Sequence, residues 1–394
     1  MPAADPSLRD RVAARLEEYK DRLLDLSHQL HDDPETSFGE TRAAGRLAVL
    51  LEDAGFTVHR AVCGLPTALT AEYGGGDLTV GVCAEYDALP EIGHACGHNI
   101  ICAAGAGAAI ALAAVADELG FRVKLLGTPA EEEGGGKVLM LERGAFDDVT
   151  VAMMVHPAPV DITDPRGSSN AVARFGITFT GRASHAAAAP EGGINAADAA
   201  VVAQVAVGQL RQQLRDGYRV AGIVRLGGER TNIIPERTTL EYEVRTPTGE
   251  ELGELRERVL YCFRGAALAT GTTVEVRPIQ PDYLDLRQDA ALMASYARNL
   301  RETGREVPEP GPVPQGTGGS TDMGNVTRAM PAIHPGLGVL GALGMPHTRQ
   351  FAEEVASPAG DDAVLDGALA MAWTGLDLAS DATWRASCVT ARHG

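Results

Sequence analysis

Hydrophobic residues fall at helical spacing among charged ones through the opening stretch PSLRDRVAARLEEYKDRLLDLSHQLH, which predicts an amphipathic helix. His31-Asp-Asp-Pro-Glu35 breaks that period, and Glu40 to Ala54 resumes it as a second helix closed by Gly55. The pattern then shortens. Thr67 to Tyr73, Leu78 to Cys83 and Arg122 to Gly127 are β-rich runs. Between the last two lies an Ala- and Gly-rich apolar stretch, Ile100 to Ala116, ending at Asp117 and Glu118, which reads as a buried helix too short for a membrane span. A helix over Lys137 to Arg143 and a strand over Thr150 to Val155 continue the alternation. Strand and helix in turn predict an α/β fold whose mostly parallel sheet carries helices on both faces.

Near Gly167 the rhythm changes. Val172 to Thr180, Ala221 to Leu226, Thr238 to Arg245 and Thr273 to Arg277 read as strands, with helices over Ile194 to Leu214 and Glu250 to Thr270. This β-α-β-β-α-β order is that of a split-βαβ sandwich, an α+β domain inserted into the first. The expected division is 1–168 with 283–394 for one domain and 169–282 for the other. Gln288 to Thr303 then predicts a helix, and a Pro-rich connector runs from Val307 to Pro314. The segment TGGSTDMGN starts at Thr317, with Ser320 and Thr321 as candidate substrate contacts. Gly336 to Leu343 is apolar, His347 follows it, and Asp361 to Ser380 closes as a helix.

Composition narrows the function. With 394 residues, 45% of them hydrophobic and 22% charged, the chain can bury a sizeable core as a soluble globular protein. A net charge of −19 argues against nucleic acid or an anionic membrane as partner and favours a small substrate or a metal cation. Six cysteines scattered at 63, 83, 96, 102, 262 and 388 form no secretory framework, and the opening helix has no apolar signal core. Reduced thiols in a cytoplasmic setting are expected.

The polar clusters sit directly after predicted strands: Glu85 and Asp87 after one, Glu131, Glu132 and Glu133 after the next, His156 after a third. In an open parallel sheet the crevice beyond the strand carboxyl ends is where ligands bind, so these clusters are expected to converge. In AEYDALPEIGHACGHNI, Cys96 and His98 alternate about Gly97 and face one side of an extended loop. A lone C-x-H has a bland counterpart, a buried thiol beside a surface histidine, and EEEGGGK taken alone is a solvated acidic turn. Together, Cys96, His98, Glu132, His156 and His347 offer a donor set suited to zinc, cobalt or manganese, and five ligands suit two ions better than one tetrahedral site. Because neighbours in an extended loop point oppositely, Glu132 can hold metal while Glu131 faces a bound water as general base. Glu133 has no role in this scheme, and His94 and His334 read as structural. No G-x-S-x-G elbow or phosphate-binding loop occurs.

The motifs EYDALPEIGHACGHN, GTPAEEEGGGK, VHPAP, GINAADA, TNIIPE, GSTDMGN and PHT together resemble the dinuclear metallo-amidohydrolases that include aminoacylase, carboxypeptidase G and the auxin-conjugate hydrolases. The branch most resembled contains p-aminobenzoyl-glutamate hydrolase and the β-alanyl-dipeptide hydrolases. The resemblance covers nearly the whole chain. It implies a zinc-peptidase-like catalytic domain interrupted by a lid domain that forms a homodimer, and two divalent ions per chain, zinc first with manganese or cobalt as alternatives. Position by position it assigns Cys96, His98, Glu132, His156 and His347 as metal ligands, Glu131 as base, and Glu85 as an acidic position behind the ligands. From the lid it implies that His185 in RASHA, Asn232 in TNIIPE and Arg245 reach the substrate. Many relatives carry aspartate where Asn99 and Glu85 stand here.

The expected activity is hydrolysis of the amide bond of an N-acyl or N-aminoacyl amino acid. Competing readings are a metal-binding scaffold without catalysis, against which the retained Glu131 speaks, and a hydrolase of a ring amide or carbamoyl group.

Overall fold

The computed structural model describes residues 3–309 and 319–393. Residues 310–314 of the Pro-rich connector, and Thr317 and Gly318, lie outside them. The described residues fall into two compact units, 3–168 with 286–309 and 321–393, and 169–285 with 319 and 320. The second unit runs three residues past the expected 282 because Val172 and Tyr283 exchange backbone hydrogen bonds of 2.9 and 3.0 Å and Asp285 accepts the Gly249 N–H.

The first unit is built on a six-stranded sheet in the order Thr57–Arg60, Leu69–Gly74, Arg122–Thr128, Thr79–Glu85, Val151–Met153 and Ala332–Ile333. The last three pairings are parallel and the first two antiparallel, so the mostly parallel sheet acquires an antiparallel edge. Thr57–Arg60 and Ala332–Ile333 are strands that the hydrophobic pattern did not announce. Successive side chains of a strand face opposite ways, and both faces here are apolar. Val80, Val82 and Ala84 pack with the helices Pro6–Asp32, His98–Leu119 and Pro358–Ser380, whereas Cys83 joins Leu126, Met140, Met154 and Met323 on the other face. Glu85 ends its strand in phase with Cys83.

The helix His98–Leu119 is long and apolar enough to cross a membrane, yet 89% of its apolar window is buried inside the protein. Its alanines and glycines let neighbouring helices approach closely. A Cβ at Gly107 would lie 2.9 Å from Ala368 Cβ and 3.0 Å from Leu23 Cδ1. Asp377, also buried, ties the same layer together. It accepts from Ala4 N (2.8 Å), Ser295 Oγ (2.8 Å) and Asn299 Nδ2 (2.9 Å), and pairs with Arg9 and Arg298.

The second unit has the expected β-α-β-β-α-β order. Its four strands pair antiparallel as Thr273–Pro278, Ala171–Thr180, Arg237–Thr246 and Arg219–Leu226, and the helices Ala196–Arg211 and Gly249–Thr270 cover one face.

Removing Asp377 strands its partners in an apolar layer. Asp377→Ala should lower the unfolding free energy by about 3 kcal/mol, read from urea denaturation, with exchange protection lost first in the N-terminal helix.

Candidate metal centre

The polar strand ends of the first unit meet at one buried point, held in place by turns more than by extended loops. Gly97 takes a left-handed φ of 77° and His98 begins the long helix, so the extended Cys96-Gly97-His98 expected from alternation does not form. A Cβ at position 97 would lie 2.7 Å from Pro157 Cγ. Glycine is what lets the Cys96–His98 corner press against the His156-Pro157 segment.

The acid segment differs from expectation in the same way. Glu131 to Gly134 form a turn, entered through Ala130 at φ 58°, whose N–H donates to the buried Glu40 carboxylate (2.9 Å). In this turn the two carboxylates do not point oppositely: Glu131 Oε2 and Glu132 Oε1 both lie 3.9 Å from His98 Nε2. Glu133 is exposed.

Asp87 binds these segments together. Its Oδ1 lies 3.2 Å from His98 Nδ1, and its Oδ2 accepts from Glu132 N (3.0 Å) and Ser37 Oγ (3.0 Å). His156 directs Nδ1 at the Pro157 carbonyl (2.9 Å), which leaves Nε2 facing the Cys96 thiol at 3.5 Å. His347 arrives from the other side, its φ left-handed at 68° and its N–H donated to Ala95 O, with Nε2 3.5 Å from Cys96 Sγ and 3.6 Å from Glu132 Oε2. All five expected ligands therefore come together. Donor atoms of Cys96, His98 and His156 lie within 4.8 Å of one another, as do those of Cys96, Glu132 and His347.

Burial governs the electrostatics. It pushes the Cys96 thiol up and takes His156 down to about 4. Burial first, then the charges of Glu85, Glu132 and Asp322, hold the Glu131 carboxyl well above the usual carboxylate range. For Asp87 burial acts upward, but the His98 charge and hydrogen bond outweigh it and bring the group to about 2. His98 is raised, because Asp87 and Glu85 overcome its own desolvation. A cation entering here displaces protons from His98 and Cys96.

The cluster fits such a cation. Glu85 Oε2, His98 Nε2 and Glu132 Oε1 are buried and have no hydrogen-bond partner. Orphaned buried donors and acceptors are costly, and three facing one point are what a metal ion satisfies.

Two neighbours escaped the sequence reading. Lys137 and Asp322, fully buried, pair with each other at 2.7 Å, and Lys137 also pairs with Glu85. Their signal was a charge inside each of the glycine-rich motifs GGGK and STDMGN. The His334 ring, read from the sequence as structural, lies tilted with its centroid 5.3 Å from that of His156, and its Nε2 is buried without a hydrogen-bond partner.

The second unit gathers two further groups. His185 Nδ1 accepts the N–H groups of Ala187 (3.2 Å) and Ala188 (3.0 Å), which places its proton on Nε2. Ala186 N donates to Asn232 O (3.0 Å), so His185 and Asn232 sit on adjoining segments. Arg245 forks onto Glu243 (2.7 and 3.2 Å) and donates to Ser320 Oγ (3.1 Å). Thr321, in the first unit, accepts from Met323 N through Oγ1 (3.2 Å) at the start of the helix Met323–Ala329.

An α/β sheet that delivers a thiol, imidazoles and carboxylates to one point forms a candidate metal centre. Residues 81–371 match the model of peptidase family M20/M25/M40, and the chain belongs to that family. It is 40% identical over 387 residues to Xaa-Arg dipeptidase of Mus musculus, covering 94% of this chain and 89% of the relative. It is 35% identical over 283 residues to one of the subunits of p-aminobenzoyl-glutamate hydrolase of Escherichia coli strain K12, covering 66% and 58%. In fold it is similar to a dinuclear metal-binding peptidase of the M20 family from Bacillus subtilis, at a TM-score of 0.64 with 22% identity over 90% of this chain and 98% of that one.

Coordination predicts the behaviour of the thiol. Cys96→Ser is expected to lower metal affinity, and a thiol reagent should label Cys96 faster in chelated than in metal-loaded protein. Equal labelling rates would remove Cys96 from the ligand set.

Proposed function

We propose that the chain is a dinuclear metallo-dipeptidase, hydrolysing the amide of an N-aminoacyl or N-acyl amino acid that bears a free carboxylate. In this reading Cys96, His98, Glu132, His156 and His347 hold two divalent ions, zinc first with manganese or cobalt as alternatives. The observation that carries it is the buried Glu131 carboxyl, raised by its surroundings, beside the unpartnered His98 Nε2 and Glu132 Oε1. Bound ions supply a polarised carbonyl and a water that is nucleophilic at neutral pH. Glu131 would take the proton of the attacking water and return it to the leaving amine, the cations beside it favouring the ionised carboxylate that the first transfer needs. His185, its proton on Nε2, is the proposed donor to the oxyanion, and Asn232, Arg245 and Ser320 are proposed to meet the rest of the substrate.

Two observations favour a dipeptide with a basic C-terminal residue. The relative covered over 89% of its length is named for Xaa-Arg dipeptides, and a net charge of −19 attracts a cationic side chain. Aminobenzoyl-glutamate is the second reading, supported by the 35% identical relative. Six free cysteines support a reducing compartment.

A homodimer through the second unit is also proposed. Val201, Val202 and Val205 on the helix Ala196–Arg211 expose apolar side chains, as do Ile223 and Val224 on the edge strand Arg219–Leu226. An exposed sheet edge of this kind suits an isologous contact.

Glu131→Gln should reduce kcat by about 10²–10⁴-fold while metal content stays at that of the parent, and a variant that turns over substrate at the parental rate would end the assignment. Release of arginine from Xaa-Arg dipeptides should exceed release of glutamate from aminobenzoyl-glutamate. Mixing tests where His185 acts. Glu131→Gln and His185→Ala chains should each be inactive, and activity recovered in verified hybrid dimers supports delivery of His185 to the partner's site. Absence of recovery assigns each histidine to its own chain.

A further inference from the structure

Phe38 stands in a backbone conformation that suits glycine better. The turn 36–39 is closed by the Gly39 N–H on Thr36 O (2.8 Å), and Phe38, its third residue, has a φ of 60°. Positive φ at that position ordinarily selects glycine or asparagine, because a Cβ crowds the backbone there. A bulky aromatic residue held this way is strained, and such strain persists only where the surrounding structure over-determines it. The side chain is also 39% exposed, so core packing alone does not account for it.

What the ring meets is the acid turn. A Cβ at Gly134 would lie 2.3 Å from Phe38 Cε2 and 2.9 Å from Cζ, so the ring takes the space that a side chain there would need. Gly134 itself has a φ of 134°, a conformation open to glycine. The turn 130–135 is closed by the Gly135 N–H on Ala130 O (2.9 Å), with Glu131 and Glu132 between. Its near end is held by Glu40 Oε1, which accepts the Ala130 N–H (2.9 Å), and Ser37 Oγ shares Asp87 Oδ2 with the Glu132 N–H, each at 3.0 Å. Three residues of one short loop, Ser37, Phe38 and Glu40, thus bear on the middle, the far end and the near end of the turn.

We propose that Phe38 is a positioning residue for Glu131: its ring, seated on Gly134, fixes the far end of the acid turn while Glu40 fixes the near end, and the loop accepts strain at residue 38 to put the ring there. This rests on the reading of Glu131 as the base. The turn needs two supports for an electrostatic reason. Glu131 Oε2 and Glu132 Oε1 each lie 3.9 Å from His98 Nε2, which brings two carboxyl groups together over one imidazole. Like charges so placed repel, and a turn released at one end relaxes outward, carrying Glu131 toward water.

Glycine at residue 38 isolates the ring, because it suits the backbone of the turn 36–39 and removes only what rests on Gly134. Phe38→Gly should lower kcat for an Xaa-Arg dipeptide by about 10–100-fold, the effect of a small misplacement of a reacting group, with KM unchanged. Phe38→Leu refills most of the space and should recover most of the rate. Amide exchange in the segment 129–136, measured without substrate, should speed up by about tenfold in Phe38→Gly and stay near the parent in Phe38→Leu.

Parental kcat in Phe38→Gly overturns the proposal, and so does unchanged exchange in that segment. A raised KM with parental kcat overturns it as well, by making the ring a substrate contact. Equal losses in Phe38→Gly and Phe38→Leu overturn the packing argument. Should Phe38→Gly lack the parental circular dichroism, Phe38→Asn, which also tolerates a left-handed backbone, is read in its place with the same losses expected. A parent that hydrolyses none of the amides offered, or a Glu131→Gln chain as active as the parent, removes the reading of the function instead, and exchange alone then decides whether the ring holds the turn.

Discussion

The Asp87 carboxylate is the constraint on which the site depends. Fully buried, it holds the ring of His98, the backbone of the acid turn at Glu132 and the hydroxyl of Ser37. These belong to a helix start, a turn and the loop before the second helix, which are remote in sequence and meet only here. A side chain that withdraws from three partners leaves three groups unpaired at once, one of them the fully buried His98 ring, so the geometry is held cooperatively rather than contact by contact. Glu40 repeats the device one step away, anchoring Ala130 in the left-handed conformation that opens the acid turn.

Burying so many carboxylates at the end of a sheet is electrostatically expensive, and the chain meets the problem in two ways. Lys137 supplies permanent positive charge beneath the site, between Glu85 and Asp322. Above it His98 takes the charge, raised by Asp87 and Glu85 and in turn holding Asp87 down, while burial and the neighbouring carboxylates push Glu131 upward. The scaffold is thus neutralised from below by its own residue and left acidic above.

The fold was legible where one physical rule dominated. The strand-helix alternation and the β-α-β-β-α-β order of the second unit could be read because burial on both faces and amphipathic spacing leave distinct periods. Thr57–Arg60, mostly exposed, and the two-residue Ala332–Ile333 could not, since neither carries enough apolar residues to show a period. The donors of the site were legible from their places at strand ends, but their orientation was not. Alternation in an extended loop was the wrong local geometry for Cys96–His98 and for Glu131–Glu132, where a left-handed Gly97 and a left-handed Ala130 set the directions. Lys137 and Asp322 were passed over because a charged residue beside glycines ordinarily marks a solvated turn, and only tertiary packing reveals that both are sealed from water.

The exposure of the donors is uneven, and this has a kinetic meaning. His98 is completely buried, whereas the His347 side chain is 56% exposed and sits on a loop whose backbone is held in a left-handed conformation at that residue. Four donors therefore form a cup fixed by the interior, and the fifth closes it from outside. Whatever enters the cluster from solution meets the exposed His347 imidazole first, and the donors behind it keep the positions that the buried elements give them.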